Sequence, residues 1–226
     1  MERFFDIIFS TIAIIILSPL LLPIIIILRL TGEGEIFFLQ ERIGINGKSF
    51  KLYKFATMLK DSPNIGTRTV TIKGDPRVLP VGKFFRKTKI NELPQLLNIL
   101  FGHMSVVGPR PLTHETFTSY NKTIQDLVKQ VRPGLSGIGS IIFRDEEEIM
   151  SGETASIDFY NDVIAPYKGS VEKWFIANKG IYLYFLIIIV TVWVVLYPRT
   201  KILWKIFRDL PEPPDNLKEL LNYPVR

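Results

Sequence analysis

From Ile7 to Leu28 the chain carries no charged residue, a run long enough to cross the roughly 30 Å hydrocarbon core of a bilayer as a helix. Ser18 and Pro19 stand in the middle of it, with Pro23 one turn later. Each proline lacks an N–H and presses its ring against the carbonyl four residues back, so a bend is expected there. The preceding flank holds Glu2, Arg3 and Asp6 rather than a basic cluster, and no small-residue cleavage pattern follows Leu28. The segment therefore reads as retained in the mature protein, not as a signal peptide. A second apolar stretch, from Ile181 to about Tyr197, is shorter and includes Tyr182, Tyr184, Trp193 and Tyr197, aromatics that favour the headgroup level. Arg199, Lys201, Lys205 and Arg208 follow it, and the region between the two stretches is itself rich in Lys and Arg. If both stretches crossed, one basic segment would lie on the wrong side for the positive-inside tendency. With neither crossing, everything basic stays cytoplasmic. The first segment is accordingly expected to be a re-entrant hairpin bent at Ser18-Pro19, against the competing reading of a kinked spanning helix. The second is expected to be interfacial or packed on the domain.

Between them the pattern changes. The glycines of TGEGE end the first helix, and IFFLQ and SFKLYKF, rich in aromatic and β-branched residues, flank a turn at Asn46-Gly47, which predicts a hairpin. KDSPNIGTRTVTIKGDPRVLP reads as a loop with a short TVTI strand candidate inside it. Leu93, Leu96, Leu97 and Leu100 recur at three-to-four spacing and predict a helix that starts near Asn91 or Glu92, with Asn91 as N-cap, and ends at Gly102. THETFTSYNKTIQDLVKQ predicts an amphipathic helix, and VRPGLSGIGSIIFRDEEEI a Gly-rich turn followed by a strand or short helix. SIDFYNDVIAPYKGSVEKWFIANKG predicts a helix pair broken at Pro166, and DLPEPPDNLKELL a short terminal helix after a proline brake.

The 226 residues allow one domain plus membrane-embedded pieces, and the formal charge of +6 suits anionic partners. Nucleic acid and an acidic bilayer would both qualify, but the apolar segments favour membrane lipid, and no nucleic acid is expected. Without cysteine, disulfides and thiolate metal sites are excluded.

Chemistry concentrates between Lys83 and Pro111, where cations, amides and prolines crowd around Glu92, the run's one carboxylate. Phosphoryl transfer needs cations for the diphosphate, a metal or its ligand, and a nucleophile or base in line with the attacked phosphorus. Lys54, Arg77, Arg86, Lys87 and Arg110 supply the cations, and Glu92 is the obvious base or metal ligand. Gly108-Pro109-Arg110-Pro111 holds one arginine in a rigid, extended backbone suited to bidentate phosphate recognition. His103 reads as structural, His114 shows no evident partner, and the acidic run Asp145 to Glu148 reads as a solvated face.

FFLQERIG, the YKF element, DPRV, FFRK, ELPQL, MSVVGPRP and RPGLSG together resemble the bacterial sugar transferases of the monotopic phosphoglycosyl transferase family, over about residues 1 to 220. The resemblance implies an α/β, helix-rich (α+β) fold. Residues 1–30 would form a re-entrant membrane helix, and residues 31–226 a cytoplasmic membrane-associated domain with interfacial amphipathic helices, including the apolar one near 181–197. It implies transfer of a sugar 1-phosphate from a nucleotide diphosphate sugar to polyprenol phosphate with Mg²⁺, at the cytoplasmic face of a bacterial inner membrane. It places Gln95 and Arg144 with Lys54, Arg77, Arg86, Lys87, Pro109, Arg110 and Pro111 around the substrate, and Asn91 and Glu92 at the catalytic and metal position. A homo-oligomer, or assembly with other glycan-building enzymes, stays open.

The chain departs from the family's pattern at Ala56, where an arginine is usual, at His103, where an acidic residue is usual, and at Asn91, where the family reads the aspartate it uses as nucleophile. An amide forms no acyl phosphate. Three routes stay open: Glu92 as nucleophile, Glu92 as base or metal ligand for direct attack by polyprenol phosphate, or an inactive relative acting as a membrane scaffold.

Overall fold

The computed structural model describes residues 1–226 apart from 67–70, 155, 199 and 225–226, and the backbone but not the side chain of residue 153. Helix α1 (Glu2–Leu30) leads into an antiparallel hairpin of β1 (Phe37–Ile43) and β2 (Ser49–Phe55). The turn is the one the sequence predicts, with Asn46 and Gly47 both at positive φ. After a loop come α2 (Pro80–Lys87), a 3₁₀ turn at Ile90–Glu92, α3 (Gln95–Leu100) and β3 (Ser105–Val107). Then follow α4 (His114–Thr118), α5 (Lys122–Val128), β4 (Gly134–Ser136) and α6 (Ile138–Ile142). The chain closes with α7 (Glu146–Ile149), α8 (Ile157–Phe159), α9 (Ala165–Ala177), α10 (Ile181–Leu196), α11 (Ile202–Ile206) and α12 (Asp215–Lys218).

The largest apolar cluster is built on α9 and α10, with Val171, Phe175, Tyr184, Ile187 and Val190 buried against Val107, Ile124, Ile138 and Ile164. A second sets Phe50 and Leu52 of β2 against Leu96, Ile99 and Met104, and Ala13, Ile14 and Leu17 of α1 pack onto it. A third joins Ile24 and Leu28 of α1 to Phe55 and Phe85.

Helix α1 therefore lies along the domain for its whole length. Near its N-terminus Asp6 is buried and accepts hydrogen bonds from Ser105 Oγ (2.9 Å), the Val106 N–H (2.8 Å) and Tyr184 OH (2.9 Å). The Arg3 guanidinium donates to the Ile99 and Leu100 carbonyls. Near its C-terminus Ile24 and Leu28 are the buried residues. The face turned away from the domain exposes Ile12, Ile15, Ile16, Leu20, Leu22, Ile26 and Ile27. This is one long apolar N-terminal helix, long and apolar enough to cross a membrane by length and composition. The helix continues through Ser18, Pro19 and Pro23 although neither proline donates a backbone hydrogen bond, and the Ser18 hydroxyl donates to the Ile15 carbonyl at 2.8 Å.

Several local expectations are corrected. Asn91 is no N-cap: it sits in the 3₁₀ turn, and α3 starts after Pro94 without a side-chain cap. The predicted helix over 113–130 is two helices, each restarted by its own cap, Thr113 and Asn121. Pro166 breaks nothing, because it falls in the first turn of α9, where its missing N–H costs little. A π-helical turn at Tyr160–Ile164 carries the chain from α8 into it. Of the TVTI strand candidate, residues 69 and 70 lie outside the described residues, as does residue 199 of the basic flank, while Thr71 and Ile72 form no strand.

Candidate active site

Short pieces of backbone converge on one cavity of about 560 Å³, within the size range of small-molecule sites. From the hairpin come Arg42 and Lys54, from α2 comes Arg86, and from the 3₁₀ turn come Lys89, Asn91 and Glu92. Lys89 itself adopts a left-handed backbone, φ 59°, at the turn between α2 and the 3₁₀ segment that carries Asn91 and Glu92. Arg110 and Pro111 enter from the strand β3 side. That segment is fixed by its parallel neighbour β4: the Gly108 N–H donates to the Ser136 carbonyl (2.9 Å) and the Gly134 N–H to the Pro109 carbonyl (2.7 Å). The approach needs glycine, since a Cβ on Gly134 would meet Gly108 N at 2.1 Å.

The opposite wall carries Ser140 of α6, Glu146 and Glu147 of α7, Tyr160, and Lys168 and Glu172 of α9. A third side is apolar, made by Ala13 and Leu17 of α1 and Ile188, Val192 and Val195 of α10. The two polar walls are tied together by Arg86, which pairs with Glu147. Lys168 pairs with Glu146 at 2.6 Å and sits over the Phe143 and Tyr160 rings.

Among the described residues, five side chains hold a buried polar atom with no hydrogen-bond partner: Arg42 Nε, Arg86 Nε, Asn91 Oδ1, Ser140 Oγ and Glu172 Oε2. Every one of these residues lines this cavity. Unpaired buried polar atoms are costly and rare in folded proteins, so their gathering around one void marks it as a place built for a polar ligand.

Electrostatics set the state of the central carboxylate. Burial pushes Glu92 up, but Lys54, Arg110, Lys89 and Arg86 together outweigh it and hold the group below the usual carboxylate range, ionised at neutral pH. The Arg110 guanidinium lies 3.9 Å away, with 42% of its side chain exposed against 18% for Glu92, so it stands at the open end, free to turn to a ligand. For Lys54, burial, reinforced by Arg42, Arg110 and Arg86 and opposed by Glu92, brings the ammonium down to about 7.

No three His, Cys, Asp or Glu side chains converge as a ready metal cage among the described residues. Mg²⁺ asks for less, one or two protein oxygens completed by substrate phosphates and water. The ionised Glu92 and the unpartnered Asn91 Oδ1, adjacent in the lining, fit that requirement.

Of the residues singled out in the sequence, the cavity brings together Lys54, Arg86, Asn91, Glu92, Arg110, Pro111 and Arg144. Arg144 also donates to the Val194 carbonyl of α10. Gln95 is buried in an adjoining small void beside Lys54, Glu92 and Arg110, and Pro109 contributes through its backbone carbonyl rather than by lining. Two cations lie outside the lining of the cavity. Arg77 is buried and held by both carboxylate oxygens of Asp75, with further bonds to the Ser62 and Ile65 carbonyls, so it braces a loop. Lys87 follows Arg86 around α2 and points to solvent.

The acidic run divides: Asp145 and Glu148 are exposed, Glu148 pairing with Lys73 at the surface, whereas Glu146 and Glu147 line the cavity. His103 stacks on Phe50, and His114 meets Ser49 Oγ at 3.2 Å. Sequence reasoning missed Arg42, Ser140, Tyr160, Lys168 and Glu172. The visible signal for the last pair was a Lys and a Glu at i, i+4 on the face of α9 that also carries Val171 and Phe175.

The family described as bacterial sugar transferase matches residues 1–198, and the chain belongs to it. Among curated proteins, the exopolysaccharide production protein PSS of Rhizobium leguminosarum bv. phaseoli is 37% identical over 151 residues, 62% of this chain and 73% of that protein. The exopolysaccharide production protein ExoY of Rhizobium meliloti is 36% identical over 159 residues, 64% of this chain and 70% of that one. A UDP-glucose:undecaprenyl-phosphate glucose-1-phosphate transferase of Klebsiella pneumoniae is 41% identical over 144 residues, which are 62% of this chain but only 30% of that longer protein.

Proposed function

We propose that this chain transfers a sugar 1-phosphate from a UDP-sugar to undecaprenyl phosphate, in the assembly of an exopolysaccharide or other surface polysaccharide. The observation that carries the reading is the cavity itself. Lys54, Arg86, Arg110 and Arg144 surround Glu92 and Asn91 in a member of the sugar transferase family, several of whose relatives carry out this exchange by name.

The cations bind the diphosphate and take up charge as it shifts towards the leaving nucleotide. An acceptor phosphate oxygen attacks the phosphorus bonded to the sugar. The bond from that phosphorus to the oxygen bridging the two phosphates breaks, and UMP departs with the electron pair. The acceptor's phosphate is largely deprotonated at neutral pH, so the attack needs no protein base. Asn91 offers no carboxylate for a covalent intermediate. The cavity has cationic and apolar walls on one void, with Ala13, Leu17, Ile188 and Val192 on the apolar side, so donor diphosphate and a lipid acceptor have room to meet in one complex. Direct transfer is therefore the proposed route. Glu92 and Asn91 would hold Mg²⁺, which supplies charge neutralisation on the diphosphate.

The same reading takes α1 and α10 as the membrane-facing surface. Both ends of α1 dock on one domain while its outer face exposes isoleucines and leucines. This supports a helix that enters and leaves on the same, cytoplasmic side, with Ser18-Pro19 as its deepest point, over one that projects across the bilayer.

Purified protein with undecaprenyl phosphate, Mg²⁺ and a panel of UDP-sugars should release UMP from at least one of them, and only when the lipid is present. Donor binding without UMP release under any condition would favour an inactive scaffold.

A further inference from the structure

Diphosphate binding accounts for Arg42 Nε and Arg86 Nε, and metal binding for Asn91 Oδ1. It leaves Ser140 Oγ and Glu172 Oε2 without a partner. These two come from α6 and α9 and line the same cavity. Glu172 is 3% exposed, and its position is built. Its Oε1 lies so close to Gly139 that a Cβ there would stand 2.4 Å away, and the Arg110 backbone N–H is near enough to hold the carboxyl's proton affinity down. Oε2 has no hydrogen-bond partner, and Glu172 lines the cavity together with Tyr120 and Tyr160.

We propose that Ser140 and Glu172 form a subsite that reads hydroxyl groups on a carbohydrate ring of the donor, a refinement that rests on the transferase reading above. A second anion is the wrong occupant for a carboxylate, and an apolar group would leave both polar atoms unpaired, which is costly. A ring with adjacent hydroxyls suits both, since Oε2 accepts one O–H and the Ser140 hydroxyl either gives or takes a hydrogen bond. The aromatic side chains beside them offer flat apolar surface for the ring's C–H face. Lys168 is occupied by Glu146, which leaves Glu172 without a dedicated cation. Accordingly, burial pushes its carboxyl up to about 7, against the Arg110 N–H and the charges of Lys168 and Arg110, so a fully charged carboxylate is disfavoured there and a neutral ligand is the better match. Arg110 links the subsite to the reaction centre, its backbone on Glu172 and its side chain near Glu92. A UDP-sugar carries such a ring in two places, the hexose and the ribose.

The test is equilibrium binding by calorimetry, with the full chain in detergent and four probes: UDP-glucose, UDP-N-acetylgalactosamine, UDP and 2′-deoxy-UDP. Ser140→Ala and Glu172→Gln should each weaken the better-bound UDP-sugar by about 5- to 100-fold while moving UDP by less than about twofold, if the hexose is read. If the ribose is read, wild type will prefer UDP over 2′-deoxy-UDP, both variants will lose that preference, and UDP and UDP-sugar will weaken together. Either pattern supports the subsite. Unchanged ratios among all four probes in both variants, with melting temperatures near wild type, would overturn it while leaving the transferase reading intact. Weakening of all four probes alike would also overturn it, in favour of a role for Glu172 in holding the Arg110 backbone. Should Glu172→Gln not fold, Ser140→Ala, which does not touch Arg110, decides alone. Wild-type protein that binds none of the nucleotides would remove the donor-site reading itself, and the subsite with it.

Discussion

Two carboxylates line the same cavity and end up in opposite states. Burial pushes both upward, yet Glu92 is held below the ordinary range while Glu172 rises to about 7. Depth is part of the reason, with the Glu92 side chain 18% exposed and Glu172 3%. The larger part is the number of cations around each group. Glu92 faces Lys54, Arg110, Lys89 and Arg86, whereas Lys168, the nearest cation to Glu172 on its own helix, is taken by Glu146. On the proposed reading the first wall would take phosphates and a metal ion, and the part around Ser140 and Glu172 a neutral polar group.

Removing charge from the first wall should have the largest effect. Glu92→Gln keeps the volume and loses the ionised oxygen, and should lower the rate of UMP release by about a hundredfold or more. Near-normal turnover at unchanged melting temperature would break the assignment. Arg110→Ala removes a charged donor at the mouth and should weaken UDP-sugar binding by about 10- to 100-fold, as expected for a charge-assisted hydrogen bond of ~1.5–3 kcal/mol. An affinity within twofold of wild type would place the diphosphate elsewhere.

The pH dependence of donor binding should be smaller and is set by Lys54. Its ammonium, brought down to about 7 by burial, is the form that attracts phosphate, so deprotonation as pH rises removes one cation. UDP-sugar affinity, whose diphosphate does not titrate in this range, should fall by about tenfold between pH 7 and 8.5. Lys54→Arg should flatten the profile. A flat wild-type profile would show that Lys54 stays charged.

The smallest effect expected is on stability, through Glu172. A carboxyl whose folded value lies above its unfolded one contributes stability that is complete below the unfolded value and is lost as pH rises through the folded one. Unfolding by denaturant should therefore show that contribution fading from about pH 4.5 to 7, and Glu172→Gln should remove it. The same contribution surviving in the variant would mean that another group is responsible.

The first wall was legible in the sequence because its residues travel together. Glu92, Arg86 and Arg110 lie within one run, and Lys54 sits on a hairpin that announces itself by aromatic residues and Asn46-Gly47. The second wall was not, since Ser140, Glu146, Lys168 and Glu172 come from three helices whose meeting is a tertiary fact. Glu146 and Glu147 read as a solvated run because nothing local shows Lys168 and Arg86 opposite them. Arg77 failed for the reverse reason: it had a partner two residues away in Asp75 that satisfied it completely enough to bury both. Asn91 was misread as a cap because the helix periodicity ran on through Leu93, whereas Pro94 delays α3 and leaves the amide inside the cavity. The apolar run of α1 was plain from composition. Its docking along the domain depends on Asp6 finding Ser105, Val106 and Tyr184, which no local pattern shows.

The central claim is that transfer proceeds directly between two substrates held in one cavity, with Glu92 ionised beside them and never covalently modified. Initial rates of UMP release, measured while UDP-sugar and undecaprenyl phosphate are varied together, test it most directly. The account predicts double-reciprocal lines that intersect, with no phosphosugar label retained on the protein when the lipid is withheld. Parallel lines together with a trapped adduct on Glu92 would contradict it.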